Sequence, residues 1–288
     1  MASKAKTLAK AISNAPENDS NNIDALEFNK LLNEFQKDTD TEISTKCFSD
    51  FCAQIVVFGL FIETATETDD NEKSRTPLFD FYPLYRKVFN FVFKNEANES
   101  IKNAANDIVD LFSQMDKKSV LENLNKSCAN GDPNFDFYEI FLSEYDGIAR
   151  KAAGVWYTPQ PVVDFIVRAV DEILRTDFHM EKGLADTSTT KDGKPTLQIF
   201  DPATGTGTFL VGVINRIYKK YNYKNPEEWA SYVQNHLLHS IEGAELSMIP
   251  FALSHWKIGM TLKKTGYNMK PNDKLRIFLK NTLETEHA

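Results

Sequence analysis

The 288-residue sequence predicts an α/β unit with a parallel sheet, preceded by a mainly helical region. Three observations carry that expectation. After residue 196, short apolar runs alternate with amphipathic stretches, the order that calls for parallel strands joined by helical crossovers. Before residue 150 the apolar residues fall at helical spacing only. The segment "DPATGTGTFL", residues 201 to 210, sits between an apolar run and an amphipathic stretch, where the turn of a strand-turn-helix unit belongs. Residues 1–150 are therefore assigned to a helical domain and 151–288 to the α/β part.

In the first region, "STKCFSDFCAQIVVFGLFIETA" places Cys47, Phe48, Phe51, Cys52, Ile55, Phe58 and Ile62 at helical spacing, with Ser44 positioned as its N-cap. The polar "TETDDNEKSRTP" reads as an exposed loop before "LFDFYPLYRKVFNFVFKN", a helix that Pro83 interrupts near its start. Another helix is expected around residues 101–115, then a connector "NKSCANGDPNFD" and the segment "FYEIFLSEYDGIARKAAG". Nothing here is arranged like catalytic chemistry, so the region reads as a packing or partner-binding domain.

The second region opens with a helix, "TPQPVVDFIVRAVDEILRTDF", which Thr158 could cap and whose first turn tolerates Pro161. Its apolar stripe, Val162, Val163, Phe165, Ile166, Ala169, Val170, Ile173 and Leu174, must cover a sheet or another helix. A mobile loop, "GLADTSTTKDGKP", is expected next. "TLQIF" reads as a strand, and "TFLVGVINRIYKKYN" as a helix through Phe209, Leu210, Val213, Ile214, Ile217 and Tyr218. The insert "YNYKNPEEWASYVQN" is expected to be helical. "LLHSIEGAE" is a second strand, "SMIPFALSHWKIGMTL" a helix and "KLRIFLKN" a third strand.

Composition narrows the function classes. No run of 18 or more apolar residues occurs, and the first 22 residues lack the apolar centre of a signal peptide, so the expected location is the cytoplasm, away from membranes. Cys47, Cys52 and Cys128 have no CxxC spacing, which disfavours a disulfide framework or a zinc site and leaves them as buried small hydrophobes. Residues 1–150 carry 16 basic and 26 acidic side chains, net −10, whereas residues 151–288 carry 17 and 15, net +2. Within the latter, Lys257, Lys263, Lys264, Lys270, Lys274, Arg276 and Lys280 form a basic run that could face a polyanion or be a solvated surface.

In a strand-turn-helix unit the ligand lies beyond the carboxyl ends of the strands, near free N–H groups of the helix. Gly205 and Gly207 let the backbone come close to such a ligand. The lack of a lysine after the glycines disfavours a P-loop, and Asp201, where a dinucleotide site has its first glycine, would repel a pyrophosphate. A carboxylate there suits a cationic ligand. S-adenosylmethionine meets that description: Asp201 could attract its amino-acid end, groups near Ala203 and Gly205 would line the pocket, and Glu245, at the end of the next strand, could accept both ribose hydroxyls. The alternatives are a turn residue at Asp201 and a helix-start acid at Glu245.

The segments "GVWYTPQPVVDFIVRAV", "DPATGTGTFL", "IEGAELSMIPFALSHWKI" and "LKNTLE" resemble the cofactor-binding half of the adenine-N6 DNA methyltransferases, in the gamma-type arrangement of type I and single-polypeptide restriction-modification enzymes. The first region, with "SDFCAQIVVFGLFIETA" and "FYEIFLSEYDGIARKAAG", is similar to the helical segment that precedes the methyltransferase core in those enzymes. The resemblance implies a Rossmann-like S-adenosylmethionine-dependent methyltransferase fold, incomplete at its C-terminus. It implies that Tyr157, Thr158 and Pro159 close over the methionine part of the cofactor. Asp201, Ala203, Gly205 and Gly207 would form the first strand-helix turn, Glu245 would bind the ribose, and Asn281 would contact the adenine. Double-stranded DNA is the implied partner of the complete enzyme, with restriction or specificity domains or subunits beside it. One departure matters. The family's catalytic Asn/Asp-Pro-Pro-aromatic tetrapeptide is absent from these 288 residues, so no catalytic residue is assigned and the expected role is cofactor binding. A non-catalytic scaffold or protein-interaction module with a vestigial site is the alternative.

Overall fold

The computed structural model describes residues 1–18, 23–65, 83–94, 98–116, 119, 137, 140–141, 143–145, 158–221, 225–270 and 272–283. The chain divides into two compact units, Met1–Trp156 and Tyr157–Ala288.

The described part of the first unit is helical: α1 (Ala2–Asn18), α2 (Ile23–Thr39), α3 (Thr45–Ala65), α4 (Pro83–Phe93) and α5 (Glu99–Ser113). Ser44 caps α3 as expected, its hydroxyl accepting the Cys47 N–H at 3.2 Å. Phe48, Phe51, Cys52, Ile55, Phe58 and Ile62 are buried. Phe28 and Phe35 of α2 meet Phe48 and Phe51 of α3 with ring centroids 5.0–5.5 Å apart, and Phe91 and Tyr85 of α4 extend the cluster. Tilted and edge-on contacts of this kind favour one packing arrangement over others. By length and composition Thr45–Glu63 could cross a membrane, but most of its surface is buried among the other helices of this unit. Pro83 is the first residue of α4, and the part of "LFDFYPLYRKVFNFVFKN" before it lies outside the described residues. Cys47 is a correction: it is exposed, because it lies on the first turn of α3 away from the core row, whereas Cys52 is buried with its thiol pKa pushed far up by desolvation. Cys128 and most of "FYEIFLSEYDGIARKAAG" lie outside the described residues.

The second unit is α/β. Helix α6 (Gln160–Thr176) leads through a 3₁₀ turn (Gly183–Ala185) to β1 (Ile199–Asp201), α7 (Thr208–Tyr221), α8 (Pro226–Tyr232), a π-helical turn (Val233–Leu237), β2 (Ile241–Glu245), α9 (Met248–Lys264) and β3 (Ile277–Leu279). The three strands are parallel, in the order β1-β2-β3, with Asp201 opposite Gly243 and Glu245 opposite Leu279. This is an open, partial, Rossmann-like sheet, as the alternation predicts. Strands are shorter than the apolar runs that announce them, since Leu238–Ser240 of "LLHSIEGAE" are still helical. The described part of the insert after α7 is helical as expected. The segment "GLADTSTTKDGKP" buries Leu184 and Ala185 and closes on itself through a Thr189–Pro195 bridge.

Two expectations for α6 need correction. Its N-cap is Pro159, not Thr158: Pro159 takes the extended conformation, its carbonyl accepts the Val162 and Val163 N–H groups, and no side chain caps the helix. The apolar stripe also does not face inward as a whole. Only Val163 and Val167 are buried, whereas Val162, Phe165, Ile166, Val170 and Ile173 are 40–60% exposed. The helix stands on α7 along a single i, i+4 row. A Cβ on Gly212 of α7 would lie 3.0 Å from Val163 and 3.4 Å from Val167, so the glycine permits this close crossing. The same row ends in Asp171, which is fully buried. Its carboxylate accepts hydrogen bonds from Arg216 Nε (3.0 Å), Lys220 Nζ (2.6 Å) and the Leu184 N–H (3.1 Å). Desolvation pushes its pKa up, but these hydrogen bonds outweigh it and hold the group below the ordinary carboxylate value.

Candidate functional site

The carboxyl ends of the three strands carry Asp201, Glu245 and the segment Lys280–Leu283. The turn after β1 is built by Thr204, whose hydroxyl donates to the Asp201 carbonyl (3.0 Å) and whose N–H donates to the Ala244 carbonyl of β2 (2.9 Å). The Gly207 N–H closes the turn on the Thr204 carbonyl at 2.8 Å. Gly205 (φ +54°) and Gly207 (φ +83°) take left-handed conformations that side chains disfavour. Space around Gly205 is open, its virtual Cβ meeting nothing nearer than the Ala203 carbonyl at 4.0 Å. Gly207 instead lies against α9, with Ser254 and Ile258 3.3–3.4 Å from its virtual Cβ.

Glu245 joins this turn to β2. One carboxylate oxygen accepts the Gly205 N–H at 2.8 Å and the other accepts the Ser247 N–H at 2.7 Å. The third loop is tied in by Lys280, whose N–H donates to the Glu245 carbonyl (2.9 Å), and by Thr282, whose hydroxyl donates to the Pro202 carbonyl (3.0 Å). Asn281 therefore lies between two anchored neighbours, and its own side-chain oxygen accepts the Leu283 N–H at 3.1 Å.

Electrostatics single out the two acids. Asp201 accepts the Ala203 N–H at 3.2 Å through one oxygen, while its other oxygen is buried with no hydrogen-bond partner among the described residues. Desolvation raises the pKa of Asp201 above the ordinary value. It also raises that of Glu245, and the negative charge of Asp201 adds to the effect despite the backbone N–H donors. Two desolvated carboxylates facing one open glycine turn favour a ligand that brings positive charge or hydroxyl donors. Among the described residues no cluster of His, Cys, Asp and Glu could hold a metal ion.

Asp201, Ala203, Gly205, Gly207, Glu245 and Asn281 are thus brought together. No hydrogen bond joins Thr158 or Pro159 to the turn among the described residues, and Tyr157 lies outside them. Sequence reasoning missed Thr204, the staple of the turn, and Gly243, whose virtual Cβ would lie 2.4 Å from the Thr204 hydroxyl. A glycine inside a strand is the signal for such close approach. Lys257, read from the sequence only as part of the basic run, donates its ammonium to the Thr208 hydroxyl at the start of α7 (3.1 Å). The basic run is partly committed inside the unit, because Lys270 donates to Gln234 and Arg276 pairs with Glu242.

Residues 131–288 match the family model described as N-6 DNA Methylase. The chain belongs to this family. No curated protein sequence matches it. Among solved structures, it is similar to a nuclease-deletion mutant of the Type ISP restriction-modification enzyme LlaGI in complex with a DNA substrate mimic, at 19% identity and a TM-score of 0.58, covering 98% of this chain and 20% of that one. The DrdV–DNA complex gives 19% identity and a TM-score of 0.58, covering 98% of this chain and 24% of that one. The ATP-dependent Type ISP restriction-modification enzyme LlaBIII bound to DNA gives 19% identity and a TM-score of 0.61, covering 98% and 18%. At this identity the likeness concerns the fold. The chain spans about a fifth to a quarter of the length of these proteins.

Proposed function

We propose that this chain is the S-adenosylmethionine-binding part of a site-specific DNA adenine-N6 methyltransferase of a restriction-modification system, working on double-stranded DNA beside restriction or specificity domains or subunits in the cytoplasm. The observation that carries the reading is the buried, unpartnered Asp201 oxygen beside the open Gly205 turn, with Glu245 across it. The ligand fits that donor set. Its ammonium and sulfonium groups offset the desolvation of two carboxylates, and its ribose hydroxyls can donate to Glu245, whose oxygens each keep a lone pair beyond the backbone N–H they accept.

In this reading Asp201 holds the amino-acid end, Ala203 and the open Gly205 line its pocket, Gly207 lets the turn pack on α9, and Asn281 takes the adenine. Tyr157, Thr158 and Pro159 close over the methionine part. When bound, the cofactor supplies an electrophilic methyl group for in-line transfer to a nitrogen. The chain's own contribution is alignment: Thr204 and Glu245 fix the turn to β2, so the cofactor is oriented by a rigid sheet end.

The scaffold reading draws on the exposed apolar side of α6 and on the absence of an Asn/Asp-Pro-Pro segment from the 288 residues. Titration calorimetry with S-adenosylmethionine and its demethylated product separates the two. Saturable binding that Glu245→Ala largely abolishes supports cofactor binding. A folded chain that binds neither compound supports the scaffold, and binding indifferent to Glu245 refutes the ribose assignment.

A further inference from the structure

At the opposite end of the sheet from the glycine turn lies a cavity of about 580 Å³, a volume in the range of small-ligand pockets. Its lining comes from the residues just before the strands: Gln198 before β1, His239 before β2 and Arg276 before β3. The π-helical turn contributes Asn235 and His236, and the loop 186–195 contributes Lys194. Single π-helical turns are uncommon and recur at functional sites.

The chemistry of the lining is lopsided. The acids at its edge are already engaged, since Asp186 accepts the N–H and hydroxyl of its own neighbour Ser188 and Glu242 pairs with Arg276. Among the described residues, the Lys194 ammonium and the His239 ring make no hydrogen bond or ion pair, and the only partner of the His236 ring is Tyr232, with centroids 5.8 Å apart. Arg276 is held in place by donating to the His239 carbonyl at 2.9 Å and to Glu242, with three of its five N–H groups left over. A pre-oriented guanidinium, an ammonium, two imidazoles and the Asn235 amide in one concavity make a donor-rich lining suited to a tetrahedral oxyanion.

We propose that this cavity binds a phosphate ester, at a site separate from the glycine turn. Two sources share that chemistry, a free nucleotide and the backbone of DNA, and the test separates them. The full chain is titrated calorimetrically with inorganic phosphate and with cytidine monophosphate, and a fluorescein-labelled short duplex is followed by anisotropy. Each is repeated with the double variant Lys194→Ala/His239→Ala and with Lys30→Ala, an exposed lysine of the helical unit. Lys194 and His239 are exposed, and unchanged thermal unfolding of their variant shows that the fold is intact. The expected result is binding weakened about tenfold in the double variant and unchanged in Lys30→Ala. Loss with phosphate and the nucleotide identifies a free ester as ligand, and loss with the duplex alone identifies the DNA backbone. No binding of any probe, or binding indifferent to the double variant, overturns the proposal. Because Glu245 is the readout of the other site, failure here leaves the cofactor reading standing and the reverse.

Discussion

Gly243→Ala tests the joint between sheet and turn. The new methyl group would meet Thr204 Oγ1 at 2.4 Å, Thr204 Cγ2 at 3.3 Å and Leu210 Cδ1 at 3.3 Å, with Thr204 itself 4% exposed. Thr204 cannot simply rotate away, because its hydroxyl donates to the Asp201 carbonyl and its N–H donates to the Ala244 carbonyl, one residue beyond the new methyl. Overpacking a tight site costs roughly 1–3 kcal/mol, and loss of the Thr204 hydroxyl bond adds about 1 kcal/mol. The expected loss is therefore about 2–4 kcal/mol. Urea unfolding followed by tryptophan fluorescence measures it, since Trp229 and Trp256 are both buried in this unit. In a Thr204→Ala background the obstruction is gone, and the same substitution should cost at least about 1 kcal/mol less. A cost below about 0.5 kcal/mol, or equal costs in the two backgrounds, would refute the contact reasoning.

Other expectations follow from the same geometry. Asp171→Ala leaves Arg216 and Lys220 facing a buried gap, and because both cations are partly exposed the loss should be about 3 kcal/mol. The folded pKa of Asp171 is lowered, so its contribution is present above the unfolded value of 3.8 and is lost as pH falls through the folded one, which a series of melts checks. Asp201 and Glu245 shift the other way: the folded apo chain holds their protons more tightly than the unfolded chain, which helps stability at acid pH and is lost as pH rises through their raised values. A cationic ligand needs them ionised, so the rise in melting temperature given by S-adenosylmethionine should grow as pH climbs from their ordinary values of 3.8 and 4.5 through the raised ones; a rise that is flat or shrinks opposes the assignment. Radiolabelled methyl transfer should place no label in adenine with these 288 residues alone, and label there would mean that other residues present complete the pocket. Duplex retention in gel shifts should be weak and fall steeply with salt, and tight sequence-selective retention at physiological salt contradicts that.

Much of the architecture was legible because periodicity reports burial. Helices α3, α7 and α9 and all three strands follow from it, and Asp201 and Glu245 stood out by ending two of the strands. Helix α1 carried a readable signal in Ala5, Leu8, Ala9 and Ile12, which are buried at helical spacing. The α6 stripe misled for a physical reason. Periodicity shows which residues are apolar, and Gly212 on another helix lets the Val163 and Val167 row come close enough to be buried. Asp171 was invisible for a similar reason, as its cations lie 45 and 49 residues away on α7. Thr158 looked like a cap because threonine often is one, yet the extended Pro159 starts the helix one residue later. The part of Thr204 required knowledge of which strand lies beside β1.

A crystal structure grown with saturating S-adenosylhomocysteine tests the central claim most directly, because that compound keeps both the ammonium and the ribose. The account predicts the ammonium within hydrogen-bonding reach of Asp201 and the ribose hydroxyls on Glu245, with Gly205 against the ligand. Density for the ligand away from the ends of β1 and β2, or an empty glycine turn at saturation, would contradict it.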